Sequence, residues 1–393
     1  MDPKVINIGT IDGELNFELI DTNLSIANSI RRVALSNIKC LVFRGFPHKE
    51  NLINIKKNTS KFNNEYLKHR IQGIPVFYSE ESNFQAFINQ YEIRLSITNE
   101  TNNIMYVTTE HFVIYDKKTG NPVNNTGPIR KNEIFPPDSI TGHYIVIAVL
   151  SPKITEDDLI EELDMTMDLS IGSAKEDSCW NMVTKCCHEN KRDDVKLDKF
   201  LKKDPETVAR YFKNDAVAID TYMKNTMSEY DLTDFKILDG QRFYVENNYI
   251  LKIESIGVYT PEQIVKKSCE YIISKLIEFS EYTKEATIEE NVKITMGDNY
   301  AMFVNEKNSS IVYNLYIPSD DYTIGKILEN YLYMMFSKDI FYISFKKEHP
   351  HDKHCYILFS YIDPEVTHET IIDNLRSVSN ELIRVYQNIA SKF

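Results

Sequence analysis

From about Thr367 to the C-terminus, Ile371, Leu375, Val378, Leu382, Val385 and Ile389 recur at alternating spacings of four and three. Six apolar positions in register over about five turns form a stripe along one face of a helix, and such a stripe must be covered by another helix or sheet. Whatever else the chain does, it has to supply that cover or recruit it.

The rest of the sequence contains suitable partners, arranged in the same order twice. Leu15 to Ile20 alternates like a half-buried strand, and Asp21-Thr22-Asn23 caps a helix through LSIANSIRRVALSNI whose Ile26, Ile30, Val33 and Ala34 share a face. Phe243 to Ile256 reads as a strand. Thr260-Pro261-Glu262 then opens a helix carrying Val265, Cys269, Ile272, Leu276 and Phe279 on one side. Further on, Ile311 to Ile317 is a strand and Ser319-Asp320-Asp321 caps a helix with Ile324, Ile327, Leu328, Tyr331 and Met335 aligned. Strands at Phe341–Lys346 and Cys355–Tyr361 lead into the last helix. Strand–helix…strand–helix, twice over, predicts an α+β fold of two related halves packed helix on helix.

The first half is interrupted. Strand-like stretches at Tyr91–Ile97, Ile104–Thr108, Tyr144–Leu150 and Met165–Ile171, punctuated by Pro136-Pro137 and Pro152, predict an inserted, mostly-β domain. The expected organisation is a discontinuous first domain over 1–45 plus 240–280, an insert over 46–239, a linker over 281–291 and a second domain over 292–393. The end of the insert, 186–239, is polar and partly helical, with Asp204-Pro205-Glu206 opening one helix, and reads as a peripheral elaboration.

Composition narrows the function classes. A chain of 393 residues with 42% hydrophobic and 26% charged residues has the make-up of a globular, multidomain protein. Its net charge of -13 argues against a surface that is mainly a nucleic-acid clamp. Six cysteines make no disulfide framework and suggest a reducing compartment. Met1-Asp2-Pro3-Lys4 has no apolar signal-peptide run, and Tyr144 to Leu150, the longest apolar run, is far shorter than the ~20 residues of a membrane span. An intracellular location without membrane contact is expected. In that setting the N-glycosylation patterns beginning at Asn58, Asn99, Asn124 and Asn308 read as chance in an Asn-rich chain.

Gly-x-Gly-x-x-Gly, Walker A, His-Glu-x-x-His, Gly-x-Ser-x-Gly and the EF-hand loop are all absent, and 12 glycines leave little from which to build a phosphate cradle. Two clusters invite a metal. Cys179, Cys186, Cys187 and His188 lack a Cys-x-x-Cys pair and read better as buried or incidental cysteines. His349, His351, His354 and Cys355 are denser, yet read better as a solvated hairpin with no closed ligand geometry. A metal-binding protein or metalloenzyme using this second cluster, and a homodimerisation module using the C-terminal seam, are the alternative functions. The run Glu156-Asp157-Asp158 with Glu161, Glu162 and Asp164 reads as a solvated face.

The helix DTNLSIANSIRRVALSNI resembles the signature helix of the α-like subunits of cellular RNA polymerases, the family of bacterial α and of the third subunit of RNA polymerase II. FNNEYLKHRIQGIPV (62–76), LDMTMDLSIGSAKEDSCWNMV (163–183) and FYVENNYILKIESIGVYTPEQIV (243–265) are similar to further family elements, in the same order. DDYTIGKILENYLYMM with ISFKKEHPHDKHCYILF resembles the eleventh subunit. In cells these two subunits are separate chains; their union resembles the fused subunit of large nucleocytoplasmic DNA viruses, which implies a host-cytoplasmic viral factory or the virion as its location.

The resemblance implies two dimerisation units forming an intramolecular pseudo-dimer. Its half-to-half interface would use Ile26, Ile30, Val265, Ile272, Leu276, Ile324, Leu328, Ile371, Leu375, Val378, Leu382 and Val385. Asn28, Arg31 and Arg32 would lie at the surface gripping a large subunit, where arginine forks suit carboxylates and carbonyls. The chain is then a non-catalytic assembly platform for the two large catalytic subunits, not an obligate homodimer. It has no catalytic residues and no cofactor, and reaches nucleic acid only through the complex. Small zinc-bearing subunits are further implied partners. The cysteine-rich zinc loop of many relatives is not spelled in Phe77–Gln90, which contains no cysteine.

Overall fold

The computed structural model describes residues 3–123, 129–155, 159–224, 229–284, 286–289, 293–296, 300–307, 310–318, 322–352 and 354–393. Glu156-Asp157-Asp158, the cap Ser319-Asp320-Asp321 and the glycosylation patterns starting at Asn124 and Asn308 lie outside the described residues.

In chain order the first elements are β1 (Lys4–Ile11), β2 (Glu14–Ile20), α1 (Leu24–Ser36), β3 (Lys39–Phe43), β4 (Ile53–Asn58), α2 (Asn64–Gln72) and α3 (Phe84–Gln90). Then come β5 (Tyr91–Asn99), β6 (Met105–Thr108), β7 (Val113–Asp116), α4 (Lys131–Ile134), β8 (Val146–Leu150), β9 (Glu161–Met167), β10 (Leu169–Ser173) and β11 (Val183–Arg192). Four short helices follow, α5 (Asp194–Leu201), α6 (Pro205–Tyr211), α7 (Ala216–Lys224) and α8 (Glu229–Ile237), before β12 (Tyr244–Ser255) and α9 (Pro261–Lys284). The chain ends with β13 (Ala286–Glu289), β14 (Lys293–Met296), β15 (Tyr300–Lys307), β16 (Ser310–Ile317), α10 (Tyr322–Phe336), β17 (Ile340–Lys346), β18 (Cys355–Tyr361) and α11 (His368–Ala390).

Two compact units emerge. One comprises 1–33, 185–254 and 265–393; the other comprises 34–184 with 255–264. The insert therefore begins and ends earlier than its sequence suggested. The physical reason is strand pairing: β3 pairs with β10, from Lys39↔Ser173 to Phe43↔Leu169, which draws the chain before residue 46 into the second unit. Conversely β11, which opens the stretch read as a peripheral tail, is a strand of the first unit's sheet.

That first sheet has the order β1-β2-β12-β11. Asp12 (φ 50°) and Gly13 (φ 83°) form the two-residue turn between β1 and β2, where both central residues need the left-handed region. In β2, Leu15, Phe17 and Leu19 are fully buried, as its alternation requires. Glu18 faces the other way yet is almost buried, and its carboxylate accepts from Lys191 Nζ at 2.6 Å and Asn7 Nδ2 at 3.1 Å. Burial pushes the Glu18 carboxyl up, but these donors outweigh it and hold it below its usual value of 4.5. A depressed carboxylate adds stability at neutral pH that is lost as the pH falls through its folded pKa. Acid titration is therefore expected to destabilise the protein below pH ~4.5, and Glu18→Gln, followed by chemical denaturation at several pH values, to flatten that dependence.

Between β11 and β12, Phe200 of α5 centres an aromatic cluster, with Tyr211, Tyr222, Phe235 and Phe243 at centroid distances of 4.8 to 5.3 Å. Asp204 caps α6 by accepting from the Thr207 amide at 3.2 Å, at the helix start its Asp-Pro-Glu sequence announces.

The second half carries a six-stranded antiparallel sheet ordered β13-β14-β15-β16-β18-β17. It corrects the expected linker over 281–291: α9 runs to Lys284 and Ala286–Glu289 is a paired strand. The charged residues there suggested open chain, but β-branched Thr287 and Ile288 favour extended structure. A second correction concerns α10. Met335 is 39% exposed, and the buried stripe ends on Leu332, because Met335 sits in the final turn beyond the layer that covers the stripe.

The second unit is built on the sheet β4-β9-β5-β7, with β6 paired to β8. The stretch Met165–Ile171, expected as one strand, is two: the Asp168 amide turns to the Leu52 carbonyl at 3.1 Å, so β9 pairs with β4 and β5 while β10 pairs with β3. Among the described residues, no helix is long and apolar enough to cross a membrane.

Candidate functional site

Four helices of the first compact unit carry buried apolar stripes, that of α10 ending at Leu332. Asn23 caps α1, its Oδ1 accepting from the Ser25 amide at 2.9 Å, and Ile26, Ile30 and Val33 are fully buried. On α9, Val265, Cys269, Ile272 and Leu276 are fully buried. Ile324 and Leu328 of α10 are at most 3% exposed. Thr367 caps α11 by accepting from the Thr370 amide at 3.3 Å, and Ile371, Leu375, Val378, Leu382, Val385 and Ile389 are at most 1% exposed. The six seam positions of α11 are thus covered within one chain.

Polar groups that sequence reading overlooked cross this layer. Tyr386 is fully buried, its hydroxyl 2.6 Å from Ser29 Oγ. Ser29 donates to the Ile26 carbonyl at 2.7 Å, so Tyr386 is the donor to Ser29. Burial pushes the Tyr386 phenol well above its usual range and keeps it protonated as that donor. Ser379 Oγ donates to the Leu276 carbonyl at 2.8 Å, and Arg376 Nη2 to the Thr283 carbonyl at 3.2 Å, where a cation suits the C-terminal end of α9. Asn388 Nδ2 donates to the Pro3 carbonyl at 3.1 Å, and the Phe393 ring meets Phe17 edge-on at 4.8 Å. Tyr386 and Ser379 each follow an apolar stripe position by one residue; a polar group in that place was the available signal. Tyr386→Phe is expected to cost about 1 kcal/mol of unfolding free energy, measured by denaturant titration.

The arginine pair divides. Arg31 Nε and Nη2 both donate to Asn28 Oδ1, at 3.0 and 2.9 Å, one turn back on the same helix. Arg32 Nε instead donates to Thr323 Oγ1 of α10 at 3.0 Å. The resemblance put both at one outward surface, whereas Arg32 is engaged inside the chain with the downstream half.

The metal candidates do not assemble. Among the described residues, no group of three or more His, Cys, Asp or Glu side chains is placed to hold a metal ion. Cys355 is fully buried with its thiol on the Ile317 carbonyl at 3.9 Å, while the His354 ring lies against Tyr316 at 5.2 Å. The His351 amide donates to His349 Nδ1 at 3.1 Å. In the other cluster, burial raises the Cys186 thiol to about 12, and lowers His188, helped by the charge of Arg31. In Phe77–Gln90, Phe84 and Phe87 of α3 fill the second unit's core.

A cleft of about 670 Å³ lies along β11, lined by His188, Glu189, Lys191, Arg192, Asp194 and Gln241 among others. Its charges are paired: Lys191 with Glu18 at 2.6 Å, Arg192 with Asp194 at 2.6 Å, and Glu189 with Lys252 at 2.9 Å. The candidate site is the helix layer with its arginines.

No curated protein matches the sequence. The family model described as the RNA polymerase Rpb3/Rpb11 dimerisation domain matches residues 16–276, more than half of the chain. The chain therefore belongs to this family, as an α-like assembly subunit of an RNA polymerase.

Proposed function

We propose that this chain carries both α-like halves of a multisubunit DNA-directed RNA polymerase and docks its two large catalytic subunits. The carrying observation is the closed layer of α1, α9, α10 and α11, in which Tyr386, Ser379, Arg376 and Arg32 bond across from one half of the sequence to the other. On this reading one dimerisation unit combines β1, β2 and α1 with β12 and α9, the other runs from β13 to α11, and their apolar contacts run through Ile26, Ile30, Val265, Ile272, Leu276, Ile324, Leu328, Ile371, Leu375, Val378, Leu382 and Val385. The active-site metal and the catalytic residues belong to the large subunits. The fused arrangement is like that of large DNA viruses, with action in the host cytoplasm or virion, and small zinc-bearing subunits are further partners.

A tagged pull-down of the chain from its native source, read by mass spectrometry, tests the assembly role. Two polymerase-sized subunits in equal amounts are expected. The chain alone, or the chain with a stoichiometric bound metal, would contradict it.

A further inference from the structure

Residues 44–70 carry seven Lys and Arg against two Glu, in a chain whose net charge is -13. Positive charge gathered in one segment of an acidic protein is the footprint of a polyanion, provided the fold keeps it on one surface. The second compact unit does so by laying α2 against the loop between β3 and β4. Leu67 and Ile71 are fully buried, which turns Tyr66, His69 and Arg70 outward. Gln72 holds the loop in place, its Oε1 accepting from the Gly45 and Phe46 amides at 3.1 Å each. The approach is close, for a Cβ added to Gly45 would lie 3.2 Å from Lys68 Cβ. Just beyond Phe46, the exposed His48 and Lys49 extend the same surface.

Two aromatic rings stand among these cations with their planes fixed. His69 is exposed, and its ring lies on Phe46 with centroids 4.0 Å apart and planes 18° from parallel. Tyr66 is 44% exposed; its ring rests on Phe62 at 5.0 Å, and Arg70 Nη1 donates to its hydroxyl at 3.3 Å. Arg70 is held in turn by the Val146 carbonyl, which accepts from Nη2 at 2.6 Å. Asn58 Nδ2 ties down the turn that carries Lys61, donating to the Phe62 carbonyl at 2.8 Å. The nearby acids are largely engaged elsewhere: Arg44 pairs with Glu50 at 3.1 Å and Glu176 at 2.9 Å, and Lys57 with Glu162. Glu65, in the first turn of α2, stands outside these pairs, as do Lys49, Lys61 and Lys68.

We propose that the surface formed by α2 and the β3–β4 loop binds single-stranded nucleic acid, with Lys49, Lys61, Lys68 and Arg70 meeting phosphates and bases stacking on His69 and Tyr66. Every base offers a face to an aromatic ring, and rings one helical turn apart suit neighbouring bases. An acidic protein segment would use the cations and leave the rings idle, and a duplex keeps its bases stacked on one another. This is a direct contact, additional to any that the chain makes through partner subunits, and it does not depend on the docking function proposed above.

The test is fluorescence anisotropy of labelled oligothymidylate and oligouridylate, roughly twelve nucleotides long, titrated with the full chain at several salt concentrations. Binding that weakens steeply with salt is expected, and the tighter of the two probes identifies DNA or RNA as the ligand. Lys49→Glu with Lys68→Glu is expected to weaken binding at least tenfold, whereas the charge-matched Lys202→Glu with Lys338→Glu, away from α2, is expected to leave it within twofold. Tyr66→Leu, which keeps an apolar contact for Phe62 and removes the stacking face, is expected to weaken binding about tenfold. Unaltered circular dichroism and Trp180 emission in the Lys49, Lys68 and Tyr66 variants show that folding is not the cause. No binding of either probe by the unmodified chain would overturn the proposal, as would equal loss in the two lysine pairs. Unchanged binding by Tyr66→Leu, with polyglutamate competing as well as unlabelled oligonucleotide, would assign the surface to an acidic protein segment instead and equally overturn it.

Discussion

Leu382→Asp is expected to open the helix layer of the first compact unit and to abolish large-subunit capture. Leu382 is fully buried on α11 between Val378 and Val385, themselves at most 1% exposed, and a carboxylate there has no cation to meet among the neighbours that the stripe presents. Burying an unpaired charge, or expelling the helix to avoid doing so, costs on the order of 4 kcal/mol or more. The loss should not stop at one side chain. α11 contributes Tyr386, Ser379, Arg376 and Asn388 to bonds with Ser29, Leu276, Thr283 and Pro3, and these fail together when it leaves. Hydrogen exchange should show α11 and its partner helices losing protection as one block. Leu382→Met, nearly volume-conserving, should cost less than about 1.5 kcal/mol and serves as the control. Near-normal protection of α11 in the Asp variant would contradict the closed layer.

Trp180→Ala is the second large effect, and it is confined to the compact unit 34–184 with 255–264. Trp180 is 4% exposed; its Nε1 donates to the Gln72 carbonyl at 3.2 Å, and the Arg44 guanidinium lies 4.8 Å from the ring centre. The ring packs so closely on β10 that a Cβ added to Gly172 would lie 2.8 Å from it and 2.9 Å from Val42. Removing an indole from such a place costs about 3–5 kcal/mol, which in a unit of this size lowers the melting temperature by roughly 10 °C. Circular dichroism melting measures it. Gly172→Val approaches the same contact from the other side by overpacking, and Trp180, the only tryptophan of the chain, then reports the disturbance through its emission. A melting temperature unchanged by Trp180→Ala would show that this packing does not hold the unit together.

The helices were legible in the sequence because their faces are one-sided. Ile26, Ile30 and Val33, the run from Val265 to Phe279, and the six positions from Ile371 to Ile389 all bury as their periodicity requires. The strands β2, β12, β16 and β18 were legible for the same reason, since alternation or a sustained apolar run distinguishes inside from outside. What stayed hidden has no such one-sidedness. β1 exposes Ile6, Ile8 and Ile11 to at least 38%, so no burial pattern marks it, and most of β11, Val183–Arg192, falls in the stretch read as a polar peripheral elaboration because its charged residues pair with those of β2 and β12. Domain limits were misplaced because they depend on which distant strand pairs with which, as β3 does with β10 across more than a hundred residues. At the site, Arg31 and Arg32 look alike in sequence. The approach of Thr323 to Arg32 and of Asn28 to Arg31 distinguishes their surroundings.

On the proposed function, one copy of this chain supplies both halves of the platform. Native mass spectrometry of the purified polymerase assembly measures this directly. One copy of the chain with one copy of each large subunit, and no separate chain of the eleventh-subunit type, is the expected composition. Two copies of this chain per assembly, or a separate eleventh-type subunit beside it, would contradict the proposed function.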